Sequence, residues 1–140
     1  MNPLLQLNDY RKRYNSNLKR GVSTFVKLAS AYVRRKEPIS TGPLFVGWDI
    51  LYRCNAKCVY CDRWSDKEMI PNELNTEQAM KLVSDLADLK IWLLSIGGGE
   101  PFLRQDMMDI LKYAKERGLC LNVSTNGMFL PWQAKQIVDI

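Results

Sequence analysis

From residue 44 onward, apolar runs of strand length alternate with amphipathic stretches of helical period, and no other feature restricts the fold of this chain as strongly. Leu44 to Leu51 (LFVGWDIL) is short and apolar enough for a buried strand. Asn75 and Gln78 have the N-x-x-Q spacing of a helix capping box, and Ala79, Leu82, Val83, Leu86 and Leu89 follow on one helical face. Ile91 to Ile96 (IWLLSI) is the second strand run, and it ends in Gly97, Gly98 and Gly99. A second helix is predicted from Arg104 or Gln105 to Arg117, with Met107, Ile110, Leu111 and Ala114 inward and Gly118 as its C-terminal cap. Leu119 to Ser124 is the third strand run. After Asn126-Gly127, Pro131 suits the first turn of a third helix that carries Ala134, Ile137 and Val138 and is still in progress at Ile140.

Strands that alternate with helices through short connections pair in parallel. The expected fold class is therefore α/β, a partial parallel (β/α) barrel of about three strand-helix units. A complete barrel has eight units in about 250 residues, roughly 31 per unit, so a chain of 140 residues holds less than half of one. The expectation is a truncated enzyme, cut within its third helix. In parallel α/β architectures the active site gathers at the C-terminal ends of the strands, and each chemistry-bearing motif of this chain comes directly after such an end.

The net charge of +5 is unevenly distributed. Residues 1–43 carry nine Lys and Arg against Asp9 and Glu37, a local balance of +7, while residues 44–140 carry 11 basic against 13 acidic residues. The chain thus divides into a basic extension, 1–43, and an incomplete core domain, 44–140. Nucleic acid is not expected as a partner, because the body that would present a basic, aromatic-studded face is slightly acidic. Within the extension, Leu18, Val22, Phe25, Val26, Ala29, Tyr32 and Val33 form a helical stripe between Ser16 and Glu37, opposite Lys19, Arg20, Lys27, Arg34 and Arg35. Such a helix suits an anionic membrane surface, but packing on the barrel or its N-terminal opening is the preferred reading. Pro38, Gly42 and Pro43 then mark a linker. No apolar run has the length of a membrane span, and the first 20 residues lack the apolar core of a signal peptide, so the chain is expected in the cytoplasm.

Three of the four cysteines fall within eight residues, as Cys54, Cys58 and Cys61 in CNAKCVYC, directly after the first strand run. In a reducing compartment such crowding points to metal. A structural zinc site closes with four ligands, and here there is no His and only Cys120, inside the third strand run, as a further thiol. Three thiolates without a good fourth suit a four-iron cubane with one iron left open. The absence of His also removes Ser/His/Asp and Cys/His nucleophile arrangements. The glycine run lacks the Lys and Ser/Thr of a phosphate-binding loop.

At these residues the chain resembles the radical S-adenosylmethionine (radical SAM) enzymes. The resemblance rests on C-x3-C-x-aromatic-C at Cys54, Cys58, Tyr60 and Cys61, on GGEP at Gly98 to Pro101 extended by FLR to Arg104, and on STNG at Ser124 to Gly127. In motif style it is similar to the branch of the molybdenum-cofactor protein A and the SPASM enzymes. The resemblance covers residues 44 to about 130. It implies a [4Fe-4S] cluster on Cys54, Cys58 and Cys61, whose fourth iron chelates the amino and carboxylate groups of S-adenosyl-L-methionine. Reductive cleavage would then give methionine and a 5′-deoxyadenosyl radical that abstracts hydrogen from a substrate, a peptide or small molecule. An electron donor such as flavodoxin or ferredoxin is implied as a partner.

The resemblance also implies cofactor-binding roles for Tyr60, Gly98, Gly99, Glu100, Ser124 and Asn126. Each has a plainer alternative. Gly98 and Gly99 permit close backbone approach and a sharp turn; Glu100 either bonds the methionine ammonium or braces its loop; Tyr60 lies by the adenine or packs the loop. Ser124, Thr125 and Asn126 contact ligand or form an Asx-type turn closed by Gly127. Arg104 either reaches an anionic substrate or is an exposed helix-start residue, the reading preferred here. Asp62, Arg63, Asp66, Lys67 and Glu68 read as a solvated loop, and Trp48, Trp92, Met107 and Met108 as core. The alternative function, from a different class, is a non-catalytic zinc- or iron-binding module built on the same cysteines.

Overall fold

The computed structural model describes residues 43–65 and 68–140, together with positions 15, 18, 19, 21–27, 29, 30, 32 and 33 near the N-terminus. Three strands, β1 (Phe45–Leu51), β2 (Leu93–Gly98) and β3 (Cys120–Val123), form one sheet in the order β1-β2-β3, and both pairs are parallel. Between them lie α1 (Thr76–Asp88) and α2 (Met107–Glu116), and α3 (Leu130–Asp139) follows β3. Short 3-10 turns at Ile70–Asn72 and Pro101–Leu103 precede α1 and α2.

The alternation along each strand sets the two faces of the sheet. Ile50, Leu94 and Ile96 are buried towards the helices, against Ala79, Val83 and Leu86 of α1 and Met107, Ile110, Leu111 and Ala114 of α2. These residues form the core. On the opposite face, pairing across the strands brings Gly47, Ser95 and Asn122 into one row and aligns Asp49 with Gly97, beside Ser124 at the end of β3. Asn122 donates to Ser95 Oγ at 3.1 Å. Towards the C-terminal ends of the strands this inner face is polar and partly open to solvent, whereas the row of Phe45, Leu93 and Cys120 at the other end is apolar.

Local signals place α1 as expected. Asn75 Oδ1 accepts from the Gln78 N–H at 2.9 Å, and Gln78 Oε1 accepts from the Asn75 N–H at 3.0 Å, closing the capping box. Gly118, with φ of +79°, ends α2 in the left-handed region that glycine favours.

Other boundaries move. The second strand runs over Leu93–Gly98 rather than from Ile91, because Lys90 turns the chain at φ of +60° and Ile91 is buried in the connection. The second helix starts at Met107, since Pro101–Leu103 takes up a separate 3-10 turn. In α3, which ends at Asp139 with Ile140 as its C-cap, the inward positions are Gln133 and Ile137, Ile140 is half-buried beyond them, and Ala134 and Val138 face solvent. Ile137 and Ile140 pack against the core, but no residue of this helix is fully buried, so its apolar stripe is only partly covered.

Arg104 departs most from its sequence reading. Its side chain is 7% exposed, donates to both carboxylate oxygens of Asp106 at 2.8 and 2.7 Å, and donates through Nη1 to the Leu74 carbonyl at 2.7 Å. It is a tie between the entrance of α1 and the entrance of α2, and no part of it is directed at a substrate. The Arg104 hydrogen bond holds the Asp106 carboxyl below its ordinary 3.8, against burial, which pushes it up; a Thr76 hydrogen bond adds to the lowering. Because the folded value is depressed, this stabilisation is present above pH 3.8 and is lost as pH falls through the folded value. We expect Arg104→Ala to cost about 2 kcal/mol, since it removes the donor of a half-buried carboxylate and of the Leu74 carbonyl. Thermal melts of wild type and Asp106→Asn should converge as the pH is taken below that range.

The described N-terminal positions are helical. Gly21 lies so close to Trp92 that a Cβ there would sit 2.9 Å from the indole ring, which brings this helix to the N-terminal end of β2. That contact agrees with packing at the barrel opening. Leu18, Val22, Phe25, Val26, Tyr32 and Val33 are nonetheless exposed, so the stripe is not what touches Trp92. Arg20, Arg34, Arg35 and the linker residues Pro38 and Gly42 lie outside the described residues.

Candidate metal and cofactor site

At the C-terminal edge of the sheet, β1 carries a register shift between Asp49 and Leu51 in its pairing with β2. An extra residue in one strand bends it and re-aims the chain beyond, and such bulges concentrate beside functional sites. Here the bend brings Leu51, Tyr52 and Arg53 across the end of β2. The Gly99 N–H donates to Leu51 O at 2.6 Å and the Glu100 N–H to Arg53 O at 2.9 Å. Gly98 has φ of +109°, and a Cβ on Gly98 or Gly99 would run into the Leu51 or Arg53 carbonyl respectively. The two glycines are therefore required by the chain's own backbone. Gly97 differs, because a Cβ there would meet only Asp49 Oδ1 and Ser124 Cβ at an ordinary 3.9 Å, on the open inner face.

The loop after β1 carries Cys54, Cys58 and Cys61, all half-buried free thiols. It is fastened at several points. Glu73 accepts from the Tyr52 N–H at 2.9 Å and pairs with Arg53 at 3.1 Å. Arg63 pairs with Asp49 of the inner face at 2.6 Å. The Cys61 N–H donates to Cys58 O at 3.2 Å, turning the middle of the loop, and Lys57 lies 5.4 Å above the Trp64 ring. A cavity of about 590 Å³ opens among Lys57, Cys58, Tyr60, Cys61 and Trp64. A larger one, of about 750 Å³, lies between α2 and α3 near Met108, Lys112 and Gln136, away from all of these motifs.

Glu100 links the second and third motifs. It is fully buried, and its Oε1 accepts from the Phe102 N–H at 3.1 Å and the Thr125 hydroxyl at 2.8 Å, while Oε2 accepts from the Asn126 N–H at 2.8 Å. Of its two sequence readings, the brace is the one the structure displays. Thr125 Oγ1 accepts in turn from the Gly127 N–H at 3.0 Å, and Asn126 Oδ1 from the Met128 N–H at 3.0 Å, so the STNG segment is also the Asx-type turn expected of it. Asn126 reaches further. Its Nδ2 donates to Asn55 Oδ1 at 2.7 Å and lies 4.0 Å from Cys54 Sγ, which also receives the Ala56 N–H at 3.4 Å.

Gly98, Gly99, Glu100, Ser124, Asn126 and the cysteine loop thus meet at one edge of the sheet. Tyr60 belongs to that loop but is 90% exposed and packs against neither the loop nor the strands. Cys120 begins β3, four residues and about 13 Å of strand before the STNG motif. It stands away from the cysteine loop.

Asp49, Arg63 and Glu73 join the site from outside the three motifs and Asn55 from between the first two cysteines, and Arg63, though half-exposed, is ion-paired to the inner face. Asp49 carries a signal in the sequence: an acidic residue inside an apolar strand run requires a partner. Asp66 and Lys67 lie outside the described residues.

The donor set fits one of two metal chemistries better than the other. Zinc binds thiolates at about 2.3 Å around a single point. The chain has no His, and Cys120 stands in β3 away from the loop, so a fourth soft ligand does not lie beside the three thiols. A cubane takes one thiolate per iron and so needs its ligands spread over a cluster, which suits three half-buried thiols on a pinned loop.

Comparison with known proteins agrees with this geometry. Fe-coproporphyrin III synthase of Methanosarcina barkeri is 35% identical over 96 residues, 68% of this chain and 24% of that protein. Mycofactocin maturase MftC of Mycolicibacterium smegmatis is 35% identical over 86 residues, covering 61% of this chain and 22% of its own length. PqqA peptide cyclase of Bradyrhizobium diazoefficiens is 33% identical over 88 residues, 63% and 23% respectively. The chain spans about a quarter of the length of these relatives. A sequence profile described as the Radical SAM superfamily matches residues 48–140, from β1 through all three motif-bearing strand ends, and the chain accordingly belongs to the radical SAM superfamily.

Proposed function

We propose that residues 44–140 are part of a radical SAM enzyme core that holds a [4Fe-4S] cluster on Cys54, Cys58 and Cys61, with S-adenosyl-L-methionine at its edge. The observation that carries this reading is the clamped loop of three free thiols set against the glycine-rich end of β2. When bound, the cluster and S-adenosyl-L-methionine supply one-electron cleavage to a 5′-deoxyadenosyl radical, chemistry that belongs to the cofactors.

The chain's own residues supply position. Glu73 and Arg63 hold the loop, Glu100 holds the turn that faces it, and the polar row of Asp49, Gly97 and Ser124 lines the approach. Tyr60, exposed on the loop, is free to lie against an adenine ring. The substrate is a peptide or a small molecule: one relative is named as a cyclase of the PqqA peptide and another as an Fe-coproporphyrin III synthase. A low-potential donor of the flavodoxin or ferredoxin kind supplies the electron, in the reducing cytoplasm. Among the described residues no helix is long and apolar enough to cross a membrane. Residues 1–43, which carry the basic excess of the chain, are assigned to a separate extension.

The test is anaerobic reconstitution with iron and sulfide. We expect about four irons per chain, near-complete loss of uptake in Cys54→Ala, Cys58→Ala and Cys61→Ala, and full uptake in Cys120→Ala. Uptake indifferent to the three substitutions, or one zinc per chain with no iron, would overturn the proposal.

A further inference from the structure

The three thiols are not equivalent. Cys54 Sγ receives the Ala56 N–H at 3.4 Å and has the Asn126 amide at 4.0 Å, whereas among the described residues Cys58 and Cys61 have no side-chain donor or backbone N–H on sulfur. The Asn126 amide is not there by chance of an exposed rotamer. Its backbone N–H is held by the buried Glu100 carboxylate at 2.8 Å, its Oδ1 is fixed by the Met128 N–H at 3.0 Å, and its Nδ2 is engaged by Asn55, the residue following Cys54, at 2.7 Å. With the backbone N–H and the carbonyl oxygen both tied, the amide is held with Nδ2 within reach of Asn55 Oδ1 and of Cys54 Sγ.

From this geometry, and resting on the cluster assignment above, we infer that Asn126 is a positioning residue that sets the reduction potential of the cluster by aiming its side-chain amide at the Cys54 thiolate. The physical basis is charge. A reduced cluster carries one more negative charge, shared with its thiolates, so a donor on a ligand sulfur stabilises the reduced form and raises the potential. Glu100 acts through Asn126, as the buried anchor of the turn. The Asn126–Asn55 bond also ties the third strand end to the residue that follows the first cluster cysteine, 71 residues away along the chain.

Asn126→Asp isolates the effect, since a carboxylate keeps the acceptor for the Met128 N–H but cannot donate to Asn55 or Cys54. Because it also adds a charge, Asn126→Ala serves as the neutral partner, and Asn55→Ala removes the competing acceptor while leaving the Asn126 donor in place. The measurement is an EPR-monitored redox titration of each reconstituted chain without S-adenosyl-L-methionine. Iron content and thermal unfolding are recorded alongside it. Asn126→Ala and Asn126→Asp should both take up iron and shift the reduction equilibrium about tenfold towards the oxidised form, about 59 mV for one electron. Asn55→Ala should leave the potential unchanged or raise it. Wild-type potential in both Asn126 variants, with wild-type iron content, overturns this inference and leaves the cluster assignment standing. A wild-type chain that takes up no iron overturns both.

Discussion

Gly99→Ala is expected to destabilise the fold severely, while Gly97→Ala, two residues earlier in the same glycine run, is expected to leave it intact. At Gly99 a methyl group would enter the Arg53 carbonyl, and neither side can yield: the Gly99 and Glu100 N–H groups are bonded across the same junction, to Leu51 O at 2.6 Å and Arg53 O at 2.9 Å. The obstacle is backbone rather than the end of a flexible side chain, so β1 and β2 would have to separate where the cysteine loop begins. A cost of about 4 kcal/mol or more is expected, a size of effect confined to a few mechanisms of this kind, against a total stability of about 5–15 kcal/mol for a domain. At Gly97 the added methyl meets only ordinary contacts at 3.9 Å. Circular dichroism melts of the two variants check this, and a native melt for Gly99→Ala would contradict it. Gly97→Ala should still weaken S-adenosyl-L-methionine binding, because its methyl fills the open inner face between Asp49 and Ser124.

Glu100→Ala should be nearly as damaging, for a different reason. Its carboxylate satisfies three donors inside a fully buried space: the Phe102 and Asn126 N–H groups and the Thr125 hydroxyl. Truncation leaves them without partners. At about 1–3 kcal/mol for each stranded buried group, and with some relaxation, about 3–5 kcal/mol is expected. Glu100→Gln is the sharper probe, because it preserves shape and replaces one acceptor oxygen by an amino group facing the Asn126 N–H. A loss of about 2 kcal/mol is expected there, measured as the shift in urea midpoint. Both variants should release the STNG turn from the end of β2 and lower iron uptake beyond what destabilisation alone explains. If Glu100→Gln melts and loads iron as wild type does, the carboxylate is not the brace of this turn.

Features decided locally are legible in the sequence. The Asn75–Gln78 capping box needs only residues three apart, and the core stripes of α1 and α2 follow from helical period alone, so both appear where expected except at Leu89, which lies past the end of α1 as its C-cap and is exposed. Arg104 cannot be read this way. Its acceptor on Leu74 lies 30 residues away, and until α1 and α2 are placed side by side nothing distinguishes a buried tie from an exposed helix-start charge. Gly98 and Gly99 are legible as a sharp turn, but the backbone that demands them comes from β1 through a register shift that sequence spacing does not encode. The inward face of α3 depends on its packing partner. There Gln133 and Ile137 turn inward, and Ala134 and Val138 do not. The cysteine spacing points to the metal chemistry proposed for the loop, while Asn55, Arg63 and Glu73, which fasten it, become visible only when the strand ends are brought together.

Three cysteines holding a cluster with one iron open to S-adenosyl-L-methionine are the core of the proposed function. EPR spectroscopy of the reduced, reconstituted chain before and after addition of S-adenosyl-L-methionine tests this most directly. The expected result is a reduced [4Fe-4S] signal whose g values shift on addition, because the cofactor's amino and carboxylate groups enter the coordination of the open iron. A chain that gives no iron-sulfur signal, or one whose spectrum is unchanged at saturating S-adenosyl-L-methionine, would contradict it.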